Sequence, residues 1–261
     1  MLEGLCGNRT IQKILLFLFV NNKCYGTQLH HQLKTPLTPI QKALLRLEKG
    51  GVLFSYCEGK TRLYQFNPGY PLLPELEQLL KKAYTLLPNH ERKAYYVPKE
   101  SPSAMLLNPI MQSKVILSFW RKLSNVRQLT FNAKTKSKSG WQGRGKGEVV
   151  VTKENENTLI FHEKGTWQGD QNEVVFSNVF RWTLDKENGT ISLEHLRRGV
   201  DHPVFLFDLA PTGPQALASV DSHLCEGDTY FGQIFLDQYG VRLNWRVIGP
   251  KKNEEIDYFY A

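Results

Sequence analysis

"TPLTPIQKALLRLEKGGVLFSYCEGKTRLYQF" occupies residues 35–66, and its pattern changes halfway. Up to Lys49 the apolar residues Ile40, Leu44 and Leu47 recur at helical spacing. Thr38 suits an N-cap, Pro39 the first helical position, and Gly50 and Gly51 a stop. From Val52 onward, residues alternate on both sides of Glu58-Gly59-Lys60-Thr61, the pattern of a β-hairpin. The flanks complete the unit. "GNRTIQKILLFLFVNN" (7–22) predicts a helix capped near Asn8 and stopped near Asn21 and Asn22. "GTQLHHQLK" (26–34) predicts a short second helix, and "PLLPELEQLLKKAYTLL" (71–87) an amphipathic closing one. Three helices, a hairpin with a basic tip and a closing helix make a winged helix-turn-helix over residues 1–88.

The same residues carry a resemblance. "GTQLHHQLK", then "TPIQKALLRLEKGGVLFSYCEGKTRLYQFNPGYPLLPEL", resembles the ArsR-type winged-helix transcription regulators across residues 8–87. The resemblance implies double-stranded DNA as a partner. With Ile40, Leu44 and Leu47 turned inward, Thr38, Gln41, Lys42 and Arg46 lie on the open side of the third helix, where such a helix enters a major groove. Gln41 can hydrogen-bond a base edge, most naturally adenine. Lys42 and Arg46 suit phosphates, which position without specifying. Lys60 and Arg62 on the hairpin would reach the backbone or the minor groove. The metalloid-sensing members carry paired cysteines on a helix. Here the third helix has none, so metal sensing is not implied. His30 and His31 are adjacent on the second helix and cannot face the same way, which disfavours a metal pair.

Charge supports a polyanion partner. The net charge is +8, and its distribution is uneven. Residues 1–100 hold 14 Lys and Arg against 7 Asp and Glu, whereas residues 101–261 hold 19 against 18. The basic excess therefore sits in the first region. Four scattered cysteines, Cys6, Cys24, Cys57 and Cys225, form no CxxC pair and fit a reducing cytoplasm. The apolar run Ile14 to Val20 is too short to span a bilayer and lacks a cleavage site, so it reads as a buried helix and no membrane partner is expected.

Residues 89–108 are polar and proline-bearing and read as a linker. A helix over "IMQSKVILSFWRKLSN" (110–125) opens the second domain, 109–261, with Val115, Phe119 and Leu123 on one face. After it the period becomes two. About ten short strand-like segments follow, separated by Gly, Pro, Asn and Asp turns, which predicts an antiparallel barrel with room for one small ligand. The fold class expected is thus α+β with two domains, a winged helix-turn-helix followed by an antiparallel β-barrel. "GRGKG" (143–147) leads into a strand, so its glycines relieve crowding at a barrel bend and do not cradle phosphate. "LIFHEKGTW", "FRWTLD", "ISLEHLRRG", "SHLCEGDTYFGQ" and "LNWRVIGPKK" resemble a small family of uncharacterised domains of calycin-like, or lipocalin-like, barrel fold with H-x-C-x-x-D-x-Y and W-x-V-x-G-P-x-K motifs. That resemblance covers residues 120–260 and implies fold more than function.

The first motif packs His223, Cys225, Asp228 and Tyr230 into eight positions. A nucleophile pair would also need an oxyanion donor, and a metal site would need reinforced ligand spacing; neither is present. No cofactor, metal or catalytic residue is therefore expected, and an enzyme is disfavoured. Two readings stay open. In one the motif is a buried polar network that fixes register. In the other, Trp182, His195, Arg197, His223, Cys225, Asp228, Tyr230, Trp245 and Lys251 wall a small-molecule pocket, with Gly227 making a bulge. Arg197 and Lys251 would favour an anionic or carbonyl-bearing ligand. The function expected is a DNA-binding transcription regulator, a homodimer through the helix at 76–87, whose barrel senses that ligand. The alternative is a small-molecule carrier or enzyme whose winged helix docks a protein partner.

Overall fold

The computed structural model describes residues 2–97, 109–135, 142–169, 173–225 and 227–261. The chain divides into two compact units, Met1–Val97 and Pro98–Ala261.

In the first unit a single turn, α1 (Glu3–Cys6), precedes α2 (Arg9–Asn21), α3 (Gly26–Leu33) and α4 (Leu37–Lys49). Asn8 caps α2 by accepting from the Thr10 N–H. Strands β2 (Leu53–Glu58) and β3 (Thr61–Phe66) form the expected hairpin, and the short β1 (Lys23–Cys24) joins β3. Helix α5 (Leu73–Thr85) follows. Ile40, Leu44 and Leu47 are buried, as their spacing predicts. The start of α4 is not as expected. Pro36, in extended conformation, is the N-cap, so Thr38 and Pro39 lie inside the first turn. The first four N–H groups of a helix lack intrahelical partners, so a proline there forfeits nothing.

The expected boundary at 88 is also displaced. Residues 89–95 form α6 (Asn89–Tyr95), and the first unit runs to Val97. The cause is the buried side chain of Asn21. Its amide donates to the carbonyls of Phe17 and Tyr95, and its oxygen accepts from the Val97 N–H. Gln32 adds a bond to the Ala94 carbonyl. The rest of the expected linker, 98–108, lies outside the described residues.

The second unit opens with α7 (Pro109–Leu123). Then come β4 (Gln128–Thr135), β5 (Gly143–Asn155), β6 (Thr158–Gln168), β7 (Glu173–Asp185), β8 (Thr190–His195) and β9 (Val204–Gly213). They are followed by β10 (Ala216–Ser219), β11 (His223–Cys225), β12 (Asp228–Leu236), β13 (Val241–Ile248) and β14 (Asn253–Tyr260). All pair antiparallel, in the order β10-β9-β8-β7-β6-β5-β4-β14-β13-β12-β11. A further pairing of β10 with β12 closes the sheet into a barrel, with β11 added on β12 alone. Alternation sends Phe131, Phe161, Phe180, Trp182, Phe207, Trp245, Tyr258 and Tyr260 into one core. Helix α7 covers one end. Its buried face, Val115, Ile116, Phe119, Trp120 and Leu123, joins that core. Trp120 Nε1 donates to the Glu156 carbonyl and Lys122 Nζ to that of Gln238, both in turns at that end.

The glycine-rich run behaves as its sequence suggests. Gly145 lies under the Phe131 ring, and Gly147 faces Gly165 across the ladder so closely that a Cβ on either would strike backbone. The closing seam depends on Ser219. Where β10 ends, its buried hydroxyl accepts from the Gly232 N–H at 2.7 Å and donates to the Gly232 carbonyl at 3.0 Å. Ser219→Ala leaves a buried donor and a buried acceptor unpaired and should cost roughly 1–3 kcal/mol. Urea denaturation followed by tryptophan fluorescence measures this; an unchanged midpoint would remove Ser219 from the account of closure.

Candidate functional site

At the barrel end opposite α7, inward-facing side chains lose their full burial. Trp167, Asn178, His195, His223, Cys225, Trp245 and Ile256 are all partly exposed, whereas Phe131, Phe180, Phe207 and Tyr258 just below them are buried. That end, the mouth of the barrel, is therefore lined by part-exposed side chains above a floor of buried aromatic rings. Ring contacts run around that floor: Phe131 to Tyr258 at 5.3 Å, Tyr258 to Trp245 at 5.8 Å, Trp245 to Phe180 at 6.0 Å and Phe180 to His195 at 4.5 Å.

The motif hairpin forms one side of the mouth. Cys225 pairs with Asp228 and His223 with Tyr230, so all four side chains leave the same face. Gly227, with φ of 89°, belongs to the turn between β11 and β12 and makes no bulge. His223 packs edge-on against Phe205 at 4.8 Å. Lys252 Nζ donates to Asp228 Oδ2 at 2.7 Å and to the Tyr230 hydroxyl at 3.1 Å. The Tyr230 O–H in turn donates to Asp228 Oδ2 at 3.2 Å. Burial opposes charge on Lys252, but the bonds to Asp228 and Tyr230 outweigh it and raise its pKa. A Cβ on Gly249 would collide with the Asp228 carboxylate, so the turn before Lys252 requires glycine.

This geometry revises part of the sequence-derived set. His195, His223, Cys225, Asp228, Tyr230 and Trp245 do gather at the mouth. Trp182 lies fully buried one row deeper, against Phe161 at 5.9 Å. Arg197 and Lys251 are exposed. The lysine that joins the cluster is Lys252, the last position of the W-x-V-x-G-P-x-K spacing, and that spacing was the signal that could have picked it. His195 stays neutral at pH 7: burial, then the nearby Arg197 charge, lowers its pKa to about 4. Among the described residues no group of three His, Cys, Asp or Glu is placed to hold a metal ion.

Sequence reasoning missed Glu163. It is fully buried in the core wall of β6, opposite Asn178 on β7. Its carboxylate accepts from the Tyr260 hydroxyl at 2.8 Å and, at a long 3.4 Å, from the Asn178 amide. Desolvation raises its pKa to about 7 despite those two bonds. The indole N–H groups of Trp182 and Trp245 are buried without hydrogen-bond partners. A charged residue at one inward position of an alternating strand has no pattern of its own. Two grooves of the second unit, about 560 and 590 Å³, run past Arg144, Arg242 and Phe259 or past Lys146 and Lys164, and contain none of the nine expected pocket residues. Arg242 and Phe259 already satisfy each other there, at 4.7 Å.

In the first unit, Thr38, Gln41, Lys42 and Arg46 are exposed along α4, and Lys60 is exposed at the hairpin turn. Arg62 differs. It is held by Glu48 on α4 at 2.9 Å and donates to the Ser55 hydroxyl at 2.9 Å. The bond from Ser55, followed by Arg62, lowers the Glu48 pKa. His30 meets the Thr35 carbonyl through Nδ1 at 2.7 Å.

The second unit is thus a closed antiparallel barrel with a polar, aromatic mouth. Residues 121–261 match a family of unknown function (DUF6314), and the chain belongs to that family. None of the curated proteins matches the chain.

The Glu163 shift has a consequence for stability. The folded-state value, about 7, exceeds the ordinary 4.5, so between those pH values the folded chain holds a proton that the unfolded chain has released. Stability from this group is fully present below about pH 4.5 and is lost as pH rises through about 7. The loss should be roughly 2–4 kcal/mol. Glu163→Gln should remove that fall and gain stability relative to the native chain above pH 7. Guanidinium denaturation of both proteins from about pH 5 to 8 tests it, and parallel curves would show that the carboxyl is not shifted.

Proposed function

We propose that the chain is a DNA-binding transcription regulator. Residues 1–88 are read as a winged helix-turn-helix, and the barrel, calycin-like in kind, as the part that takes a small-molecule ligand at its mouth. One observation carries the DNA reading. Helix α4 buries Ile40, Leu44 and Leu47 and leaves Gln41, Lys42 and Arg46 exposed, while Lys60 is exposed on the hairpin whose Arg62 is tied to the same helix. That is a reading head with a basic companion. The basic surplus of the first 100 residues supports it, 14 against 7.

The mouth supports the ligand half, with aromatic surface and a few directed polar groups at the end of the barrel that α7 leaves uncovered. Leu79 on α5 and its caps Leu72 and Leu86 are exposed at seven-residue spacing and support a homodimer through that helix. No helix among the described residues is long and apolar enough to cross a membrane. The four free cysteines fit a cytoplasmic location.

Selection of bound fragments from the host's own DNA tests the reading. A recurring sequence should emerge, with affinity falling steeply as salt rises. Gln41→Ala should then relax preference at one base pair at a cost of about 1–3 kcal/mol. Lys60→Ala should weaken all sequences alike and flatten the salt dependence. Absence of any sequence preference would leave the first unit as a protein-docking module.

A further inference from the structure

We propose that the mouth of the barrel binds an organic cation, a protonated amine on an aromatic or apolar body, with its N–H groups directed at Glu163 and its body against Trp245, Tyr258 and Phe180. This rests on the reading of the mouth as a ligand pocket. The first argument is the company Glu163 keeps. It is fully buried, yet its hydrogen bonds come from Tyr260 and Asn178, both neutral, and no cation pairs with it among the described residues. A buried carboxylate without a counter-charge is expensive, and a ligand cation would offset that cost. The second oxygen has an exchangeable partner. Asn178 reaches it at 3.4 Å and is itself partly exposed in the mouth, so a ligand N–H can take its place.

The surroundings suit the same class. Trp245 lies 6.0 Å from Phe180 and 5.8 Å from Tyr258, which stacks on Tyr260 at 5.6 Å. Aromatic faces carry negative potential and hold cations, more strongly when water is excluded. The unpartnered indole N–H of Trp245 leaves one donor for a hydroxyl or carbonyl elsewhere on the ligand. The rim offers an anion little. Arg197 and Lys251, which suggested an anionic ligand, are exposed, and the charge of Lys252 is matched by Asp228 at 2.7 Å.

The test titrates the full chain with benzylamine, benzyl alcohol and benzoate at pH 8 and follows heat and tryptophan fluorescence. Benzylamine should bind at least about tenfold more tightly than benzoate, and Glu163→Gln should abolish the difference. Benzoate binding as tightly as benzylamine, or a preference that survives Glu163→Gln, overturns the proposal. Binding of benzoate and benzyl alcohol without benzylamine refutes the cation and leaves the pocket standing; binding of none of the three refutes both. The three-compound comparison requires no variant. Should Glu163→Gln fail to fold, Trp245→Leu serves instead: it should weaken benzylamine severalfold, and unchanged affinity overturns the site.

Discussion

The barrel turns on a single substitution of side chain for backbone. Strand β10 pairs with β12 from Ala216 to Ala218, and the ladder then gives way to the Ser219 hydroxyl, which serves both the N–H and the carbonyl of Gly232. Gly232 accepts this role because its other face lies under the Phe207 ring, where a Cβ would not fit. From that point the chain is free to leave the seam and return as β11, which pairs with β12 alone. The hairpin carrying His223, Cys225, Asp228 and Tyr230 therefore exists because the closure ends where it does.

That arrangement divides the polar groups of the interior into two kinds. Asp228 and Tyr230 of β12 and Lys252 of the turn after β13 satisfy one another across two segments of chain, so their burial is compensated and they rigidify the rim. Glu163 is not compensated in this way. Two neutral donors stand in for a counter-ion, and desolvation dominates. A core that needed only stability would use an apolar residue at this place. The rim cluster is thus well explained as architecture, while Glu163 and the unpartnered indole of Trp245 ask for a functional account.

The first unit shows a related economy. Glu48 sits on the inner edge of α4 and binds both Ser55 and Arg62 of the hairpin. An exposed ion pair contributes little stability. Its larger effect is geometric, since it fixes the hairpin against the helix whose outer face carries Gln41, Lys42 and Arg46. Asn21 does comparable service for α6, gathering Tyr95 and Val97 onto the end of α2.

Local sequence was sufficient wherever periodicity and turn chemistry act over a few residues. Ile40, Leu44 and Leu47 set the buried face of α4, Glu58-Gly59-Lys60-Thr61 set the hairpin, and the alternation from Gln128 onward set an antiparallel sheet with its apolar face inward. The His223 to Tyr230 spacing likewise placed four side chains on one face, because a strand repeats every two residues. What local sequence could not supply was any relation spanning distant segments. Lys252 rather than Lys251 meets Asp228 because the turn at Gly249 aims it there. Residues 89–95 became α6 because Asn21 lies 74 positions from Tyr95 in the chain and 2.8 Å away in space. Glu163 looked like one more polar residue between Phe161 and Gly165 until Tyr260, 97 positions later, closed over it. Patterns fix which way a side chain points; only the closed barrel decides what it meets.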